Sequence, residues 1–177
     1  MCIRDRNAII ENLLTRRSTR AFLQKEIPDN ELNEILQAAI YAPSGMGKQT
    51  WKFTVLCNQE KTQQLAELIG RKLGRKGYDM YRPQVLIIPS NQKENPHGME
   101  DNACALENIF LAAHSFGIGS VWINQLRTLC DDPEVRALLD EFEIPSDHVV
   151  YGMAALGYPA DAPKKEIHKI GEIRIIK

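Results

Sequence analysis

A single mixed α+β domain, with helices laid on one layer of sheet, is the fold class this sequence predicts. Three observations lead there. Segments of helical periodicity alternate with short strand-like runs, and the helices outweigh the strands. One stretch, Asp101 to Phe116, is apolar nearly all round, as a helix in an interior is. The 177 residues suffice for one full hydrophobic core and argue against two domains.

The elements follow in order. Ile9, Ile10, Leu13 and Leu14 form one apolar stripe, with Asn7 placed to cap a first helix. RRSTRAF, residues 16–22, reads as extended chain or turn. Pro28-Asp29 starts a second helix, whose Leu32, Ile35, Leu36, Ala39 and Ile40 share a face. Ala42-Pro43-Ser44-Gly45 breaks it. Lys52 to Cys57, rich in Phe, Thr and Val, predicts a strand. Asn58 caps a third helix, which Gly70 is expected to end. Lys72 to Tyr81 is a basic loop. Val85 to Ile88 is a buried strand closed by Pro89. After the apolar helix, Gly117 and Gly119 lead into a strand at Ser120–Ile123. A short helix spans Asp132 to Asp140, and a small-residue strand spans Val149 to Gly157. The tail carries Lys164 and Lys165, then an apolar run from Ile173 to Ile176. Met1 to Arg6 fit no pattern and read as an artefactual or disordered leader, leaving 7–177 as the domain.

Composition excludes several function classes. The formal net charge of -1 gives no global attraction to nucleic acid or to an acidic membrane. No apolar run approaches the ~20 residues that span a bilayer. The opening residues lack the pattern of a secretory signal. Cys2, Cys57, Cys104 and Cys130 are scattered with no CxxC pair, which predicts free thiols and a cytoplasmic setting. The four histidines show no metal-ligand spacing.

Two segments carry chemistry. In an extended chain, successive side chains alternate in direction, so Arg16, Ser18 and Arg20 point the same way. Two guanidiniums and a hydroxyl on one spot suit a phosphate; a solvated basic turn is the plain alternative. GMGKQT approximates a P-loop but fails it. Ala42 stands where the first Gly belongs, Gln49 follows the Lys, and a helix rather than a strand precedes it. Ser44, Gly45 and Gly47 can still offer backbone N–H groups to a flat ligand, with Gln49 as donor and acceptor. No Ser–His pair, nucleophile elbow or acid pair stands out. Phosphate and flat-ring determinants without an acid, base or nucleophile suggest that a cofactor carries the chemistry.

At these residues the sequence resembles the nitroreductase family of FMN-dependent oxidoreductases. RRSTRAF, APSGMGKQTWKF at 42–53, DNACALENIFLAAHSFGIGSVWI at 101–123 and YGMAALGYP at 151–159 carry the likeness through nearly the whole chain. The resemblance implies a central, mostly antiparallel sheet of four or five strands flanked by helices, in an intertwined homodimer with FMN at the interface. It implies Arg16, Arg17, Ser18 and Arg20 as phosphate and ribityl contacts. Pro43, Ser44, Gly45, Gly47 and Gln49 would form the partner chain's loop along the ring. Trp122, Ile123 and Asn124 would lie beside the flavin face, with a backbone N–H near N5. Lys164 or Lys165 would add charge at the phosphate, and Arg75 is a weaker candidate for the pyrimidine edge. Gly47 stands where many members have Asn, and Thr50 replaces the Pro usual before Trp51.

The implied activity passes hydride from NAD(P)H through flavin N5 to a nitroaromatic or quinone by a ping-pong scheme. A non-turnover FMN carrier or sensor, or a dehalogenase-like enzyme, is the alternative. Neither nucleic acid nor membrane is an expected partner.

Overall fold

The computed structural model describes residues 7–161 and 170–177. Five helices and a five-stranded sheet make up the described chain. Helix α1 is Ala8–Thr15, α2 Asp29–Ile40, α3 Gln59–Lys72, α4 Gly98–Ser115 and α5 Pro133–Glu141. Strand β1 is Trp51–Leu56, β2 Val85–Gln92, β3 Gly119–Ile123, β4 His148–Val149 and β5 Met153–Gly157. The sheet runs β1-β2-β5-β3, with β4 on the end of β2, and every pairing between these strands is antiparallel.

Caps set the helix starts. The side chains of Asn7, Asn58 and Asp132 accept backbone N–H groups of the first turns of α1, α3 and α5. Pro28 precedes α2 as its N-cap residue, where its missing N–H removes no helical bond.

The alternation of side chains along the strands explains why the apolar runs are continuous. Leu86, Ile88, Val121, Ile123, Met153 and Ala155 face α3 and α5 in one core. Val85, Ile87, Ala154 and Leu156 face α2 and α4 in the other. A sheet covered on both faces needs apolar residues at every position. Cutting a fully buried residue such as Leu106 to Ala removes about 2–5 kcal/mol.

Three elements differ from the sequence expectations. Gly70 lies inside α3, which runs on to Lys72. A Cβ there would sit 2.9 Å from the Arg75 carbonyl oxygen, so this glycine admits the returning loop rather than ending the helix. Gly74, at φ +65, supplies the left-handed turn just after the helix.

Strand β2 also continues through Pro89 to Gln92. Pro89 pairs with Phe53 of β1, while pairing with β5 ends at Ile87 and β4 begins only at Asn91. The proline thus sits where one flank is free of ladder partners. The Asn102 side chain fills that gap, donating to the Pro89 carbonyl at 3.2 Å. The long C-terminal strand expected over Val149–Gly157 is split into β4 and β5.

Helix α1 has an apolar stripe but no buried residue. Ile9, Ile10, Leu13 and Leu14 are 46–69 % exposed. The tail isoleucines Ile170, Ile173, Ile175 and Ile176 are exposed as well. No helix among the described residues is long and apolar enough to cross a membrane. Cys57, Cys104 and Cys130 are free thiols.

Candidate functional site

RRSTRAF forms an extended rail beside the sheet. Ser18 bridges Ser120 of β3 in parallel, and the Thr19 N–H donates to the Ser120 carbonyl at 2.9 Å. Phe22 bridges Pro159 just beyond β5 and is buried. Gly119 and Gly157 give Thr19 and Phe22 their seats, since a Cβ at either would come within 3.0 Å of them.

The rail therefore anchors Thr19 and Phe22 and leaves Ser18 and Arg20 exposed beside a half-buried Arg16. Arg16 and Arg20 enter none of the ion pairs among the described residues. Arg17 turns back, donating to the Leu14 and Arg16 carbonyls at 2.8 Å. Behind the rail, the ring of His114 meets the Thr15 hydroxyl at 2.9 Å. Burial, then the charges of Arg16 and Arg17, hold its pKa below the ordinary 6.5. The patch is thus a concentration of positive charge with no ion-pair partner among the described residues, which suits a phosphate.

The α4 face continues this patch. The Arg16 guanidinium lies 5.9 Å from the Phe110 ring centroid, and Phe110 lies 6.2 Å from Trp122. Trp122 is 39 % exposed at the end of β3, its indole flat against Gly152. A Cβ on Gly152 would fall 2.5 Å from the indole Nε1. That Nε1 donates to the Asn124 side-chain oxygen at 3.3 Å. The Asn124 backbone N–H donates to the Gln125 side-chain oxygen at 3.0 Å. Ile123 between them is buried in the core. Beside this segment opens a cavity of about 480 Å³, walled by Met99, Ala103, Trp122 and Tyr151, with Arg127 over the Tyr151 ring.

The 44–49 turn docks at the other end of α4. Its Gly45 N–H donates to Asp101 Oδ1 at 2.7 Å, and a Cβ at Gly45 would strike the His97 ring at 2.6 Å. Met46, Gly47 and Gln49 all have positive φ. The Gly47 and Lys48 N–H groups close onto the Ser44 and Gly45 carbonyls, and that of Gln49 onto the Ser44 hydroxyl. Four of the turn's backbone N–H groups are therefore engaged, three within the turn and that of Gly45 with Asp101. The turn's outward surface is Met46, Gly47, Lys48 and Gln49, with Pro43 exposed just before it.

Sequence reasoning missed what holds this turn. Asp101 is 2 % exposed, and its second oxygen accepts from Asn95 at 2.9 Å. Asn95 also donates to the Thr50 hydroxyl, which donates to Asn91 at 2.6 Å. Thr50 is thus a member of a polar hub joining the turn to β2 and α4. The available signal was Asp101 and Asn102, two adjacent polar residues near the start of a helix whose other buried positions are apolar or Gly.

Arg75 stands apart from this constellation. It lies over Tyr78 and lines a different cavity. Lys164 and Lys165 lie outside the described residues. No cluster of three or more His, Cys, Asp or Glu among the described residues could hold a metal.

Comparison with known proteins completes the picture. The model of the Nitroreductase family matches residues 13–84 and 72–158. A nitroreductase with bound FMN from Bacteroides fragilis superposes with a TM-score of 0.91 at 43% identity, covering 97% of this chain and all of that one. An FMN-dependent nitroreductase from Clostridium difficile gives a TM-score of 0.76 at 33% identity, over 89% of this chain and 91% of its own. An Archaeoglobus fulgidus protein, named provisionally as an NADH dehydrogenase/NAD(P)H nitroreductase, is 32% identical over 154 residues, 86% of each chain.

Proposed function

This chain belongs to the nitroreductase family, and we propose that it is an FMN-dependent oxidoreductase carrying hydride from NAD(P)H to an electron-poor acceptor such as a nitroaromatic or a quinone. The observation that carries this reading is the Arg16/Ser18/Arg20 rail, whose arginines enter no ion pair among the described residues, continued through Phe110 to Trp122 and Asn124. Bound FMN supplies the two-electron hydride relay, which these side chains lack the groups to perform.

The chain's own residues would bind and orient. Arg16 and Arg20 would pair with the phosphate dianion, and Ser18 would donate a neutral hydrogen bond. Trp122 would set the wall against which a flat ring lies. The Asn124 N–H, held meanwhile by Gln125, is the donor available to a ring nitrogen once that side chain rotates. Lys164 or Lys165 would add a further charge at the phosphate. Arg17, engaged with the end of α1, would steady the rail from behind.

A second copy of the chain completes the site in this reading. The exposed stripe of α1, Phe116 and the tail isoleucines offer apolar surface for it. The 44–49 turn would then border the partner's cofactor, presenting Pro43, Ser44, Gly45, Gly47 and Gln49.

One open face implies that donor and acceptor occupy it in turn. Protein saturated with FMN should oxidise NAD(P)H with a nitroaromatic, and double-reciprocal plots at several acceptor concentrations should be parallel. Intersecting lines would refute the shared face. Flavin absorbance without NAD(P)H oxidation would identify a carrier or sensor, and failure to take up FMN would refute the assignment.

A further inference from the structure

Asn124 stands where an asparagine ordinarily caps a helix, and it caps nothing. It directly precedes the short 3₁₀ turn Gln125–Thr128, yet its side chain accepts no backbone N–H of that turn, although asparagine is among the strongest N-cap residues. The side-chain oxygen accepts instead from the Trp122 indole Nε1 at 3.3 Å. The Asn124 backbone, at φ -111° and ψ 0°, lies by the sparsely allowed bridge region in which many active-site residues are found. Natural chains set such local preferences aside chiefly at functional sites.

The indole decides which way the amide faces. An indole nitrogen is a donor only, whereas an asparagine side chain carries one acceptor oxygen and one NH₂ group. Oδ1 must therefore turn to Trp122, which turns the NH₂ away from it. The indole is itself seated by Gly152, where a Cβ would lie 2.5 Å from Nε1. The Asn124 backbone N–H is held separately, by the Gln125 side-chain oxygen at 3.0 Å. The NH₂ group donates to nothing among the described residues.

Asn124 and Trp122 line the cavity of about 480 Å³ walled by Met99, Ala103 and Tyr151. That volume lies in the range of small-ligand pockets. Its other two linings, Glu100 and Arg127, carry opposite formal charges. An aromatic cavity without net formal charge, holding one oriented neutral donor, suits a flat ring with an oxygen at its edge.

Resting on the flavin-dependent reading above, we propose that the Asn124 side-chain NH₂ binds the electron acceptor, donating a hydrogen bond to a nitro or quinone oxygen. Trp122 is its positioning residue and fixes the orientation of the amide. The same asparagine thus offers its backbone N–H to the cofactor and its side chain to the acceptor.

Calorimetric titration of the oxidised, FMN-loaded full chain tests this, without NAD(P)H, so that the ligand binds and is not reduced. The probes are 4-nitrobenzyl alcohol and benzyl alcohol, which differ by the nitro group alone. The quantity read is the ratio of their affinities, because loss of wall contacts weakens both. The wild type should favour the nitro compound. Asn124→Ala should lower the ratio about two- to tenfold, the worth of one neutral hydrogen bond. Asn124→Asp should lower it at least as far, since its carboxylate puts an acceptor where the NH₂ stood. Trp122→Phe keeps an aromatic wall without the N–H and should lower the ratio too. Equal affinities in the wild type, or an unchanged ratio in both Asn124 variants, would overturn the acceptor contact. Weaker FMN binding with an unchanged ratio would overturn it as well, by giving the side chain to the cofactor. An unchanged ratio in Trp122→Phe alone would overturn the positioning role. A chain that takes up no FMN shows no flavin absorbance before any probe is added, and would overturn the flavin-dependent reading and this inference together.

Discussion

Asp101→Asn isolates what the buried hub contributes to the turn. The carboxylate accepts from the Gly45 N–H at 2.7 Å and from the Asn95 side chain at 2.9 Å, at 2 % exposure. An amide of the same shape has one acceptor oxygen and one donor nitrogen. Whichever way it is turned, its NH₂ faces one of these two donors. One charge-assisted bond, worth about 1.5–3 kcal/mol, is lost, and the other falls to the neutral value of about 0.5–1.5 kcal/mol. Removing a buried charge offsets part of this. The expected net loss is about 2–4 kcal/mol. For a chain of this length that is roughly 4–16 °C in the unfolding midpoint. Thermal and urea unfolding of wild type and variant measure it. FMN affinity should fall alongside, because the 44–49 turn loses its tether. A variant within about 0.5 kcal/mol of wild type, with FMN affinity unchanged, would show that the hub does not hold the turn.

Other perturbations probe the remaining parts of the site. Arg16→Ala should weaken FMN about ten- to hundredfold by fluorescence titration, the worth of one charge-assisted phosphate contact; unchanged affinity would remove Arg16 from the phosphate. Gly152→Ala places a Cβ 2.5 Å from the Trp122 indole, so Trp122 fluorescence should shift and stability should drop by about 1–3 kcal/mol; an unaltered spectrum would contradict the packing. His148, hydrogen-bonded to Ser90 at 3.0 Å, has its pKa lowered below 6.5 chiefly by burial. The unfolded chain then binds the proton first, so this stability is fully present above pH 6.5 and is lost as pH falls through the depressed folded value. Urea midpoints should decline below pH 6.5 and do so less in His148→Gln, and parallel curves would rule the histidine out.

Legibility in the sequence followed the range of the interactions. Helices α2, α3 and α5 and strands β1 and β3 were readable because caps and periodicity are local. The rail was readable for the same reason, since alternation in an extended chain needs no tertiary knowledge. Pro89 misled because its tolerance depends on where two other strands stop. Gly70 misled because its role is contact with a loop several residues on, rather than its own φ. The hub over Thr50, Asn91, Asn95 and Asp101 joins four separated positions, and no spacing rule links them. The occupied N–H groups of the 44–49 turn were equally hidden, because glycine spacing does not say which way an amide points.

Helix α1 carries a consequence for the order in which the chain assembles. Its eight residues fall below the length at which a helix persists alone in water. Its own fold holds it by Asn12 to the Leu111 carbonyl and by Thr15 to His114. With every apolar residue of its stripe in solvent, it offers nothing around which the core can nucleate. Its ordering should come last and be second order, so that the slowest refolding phase speeds up in proportion to protein concentration while the earlier phases do not.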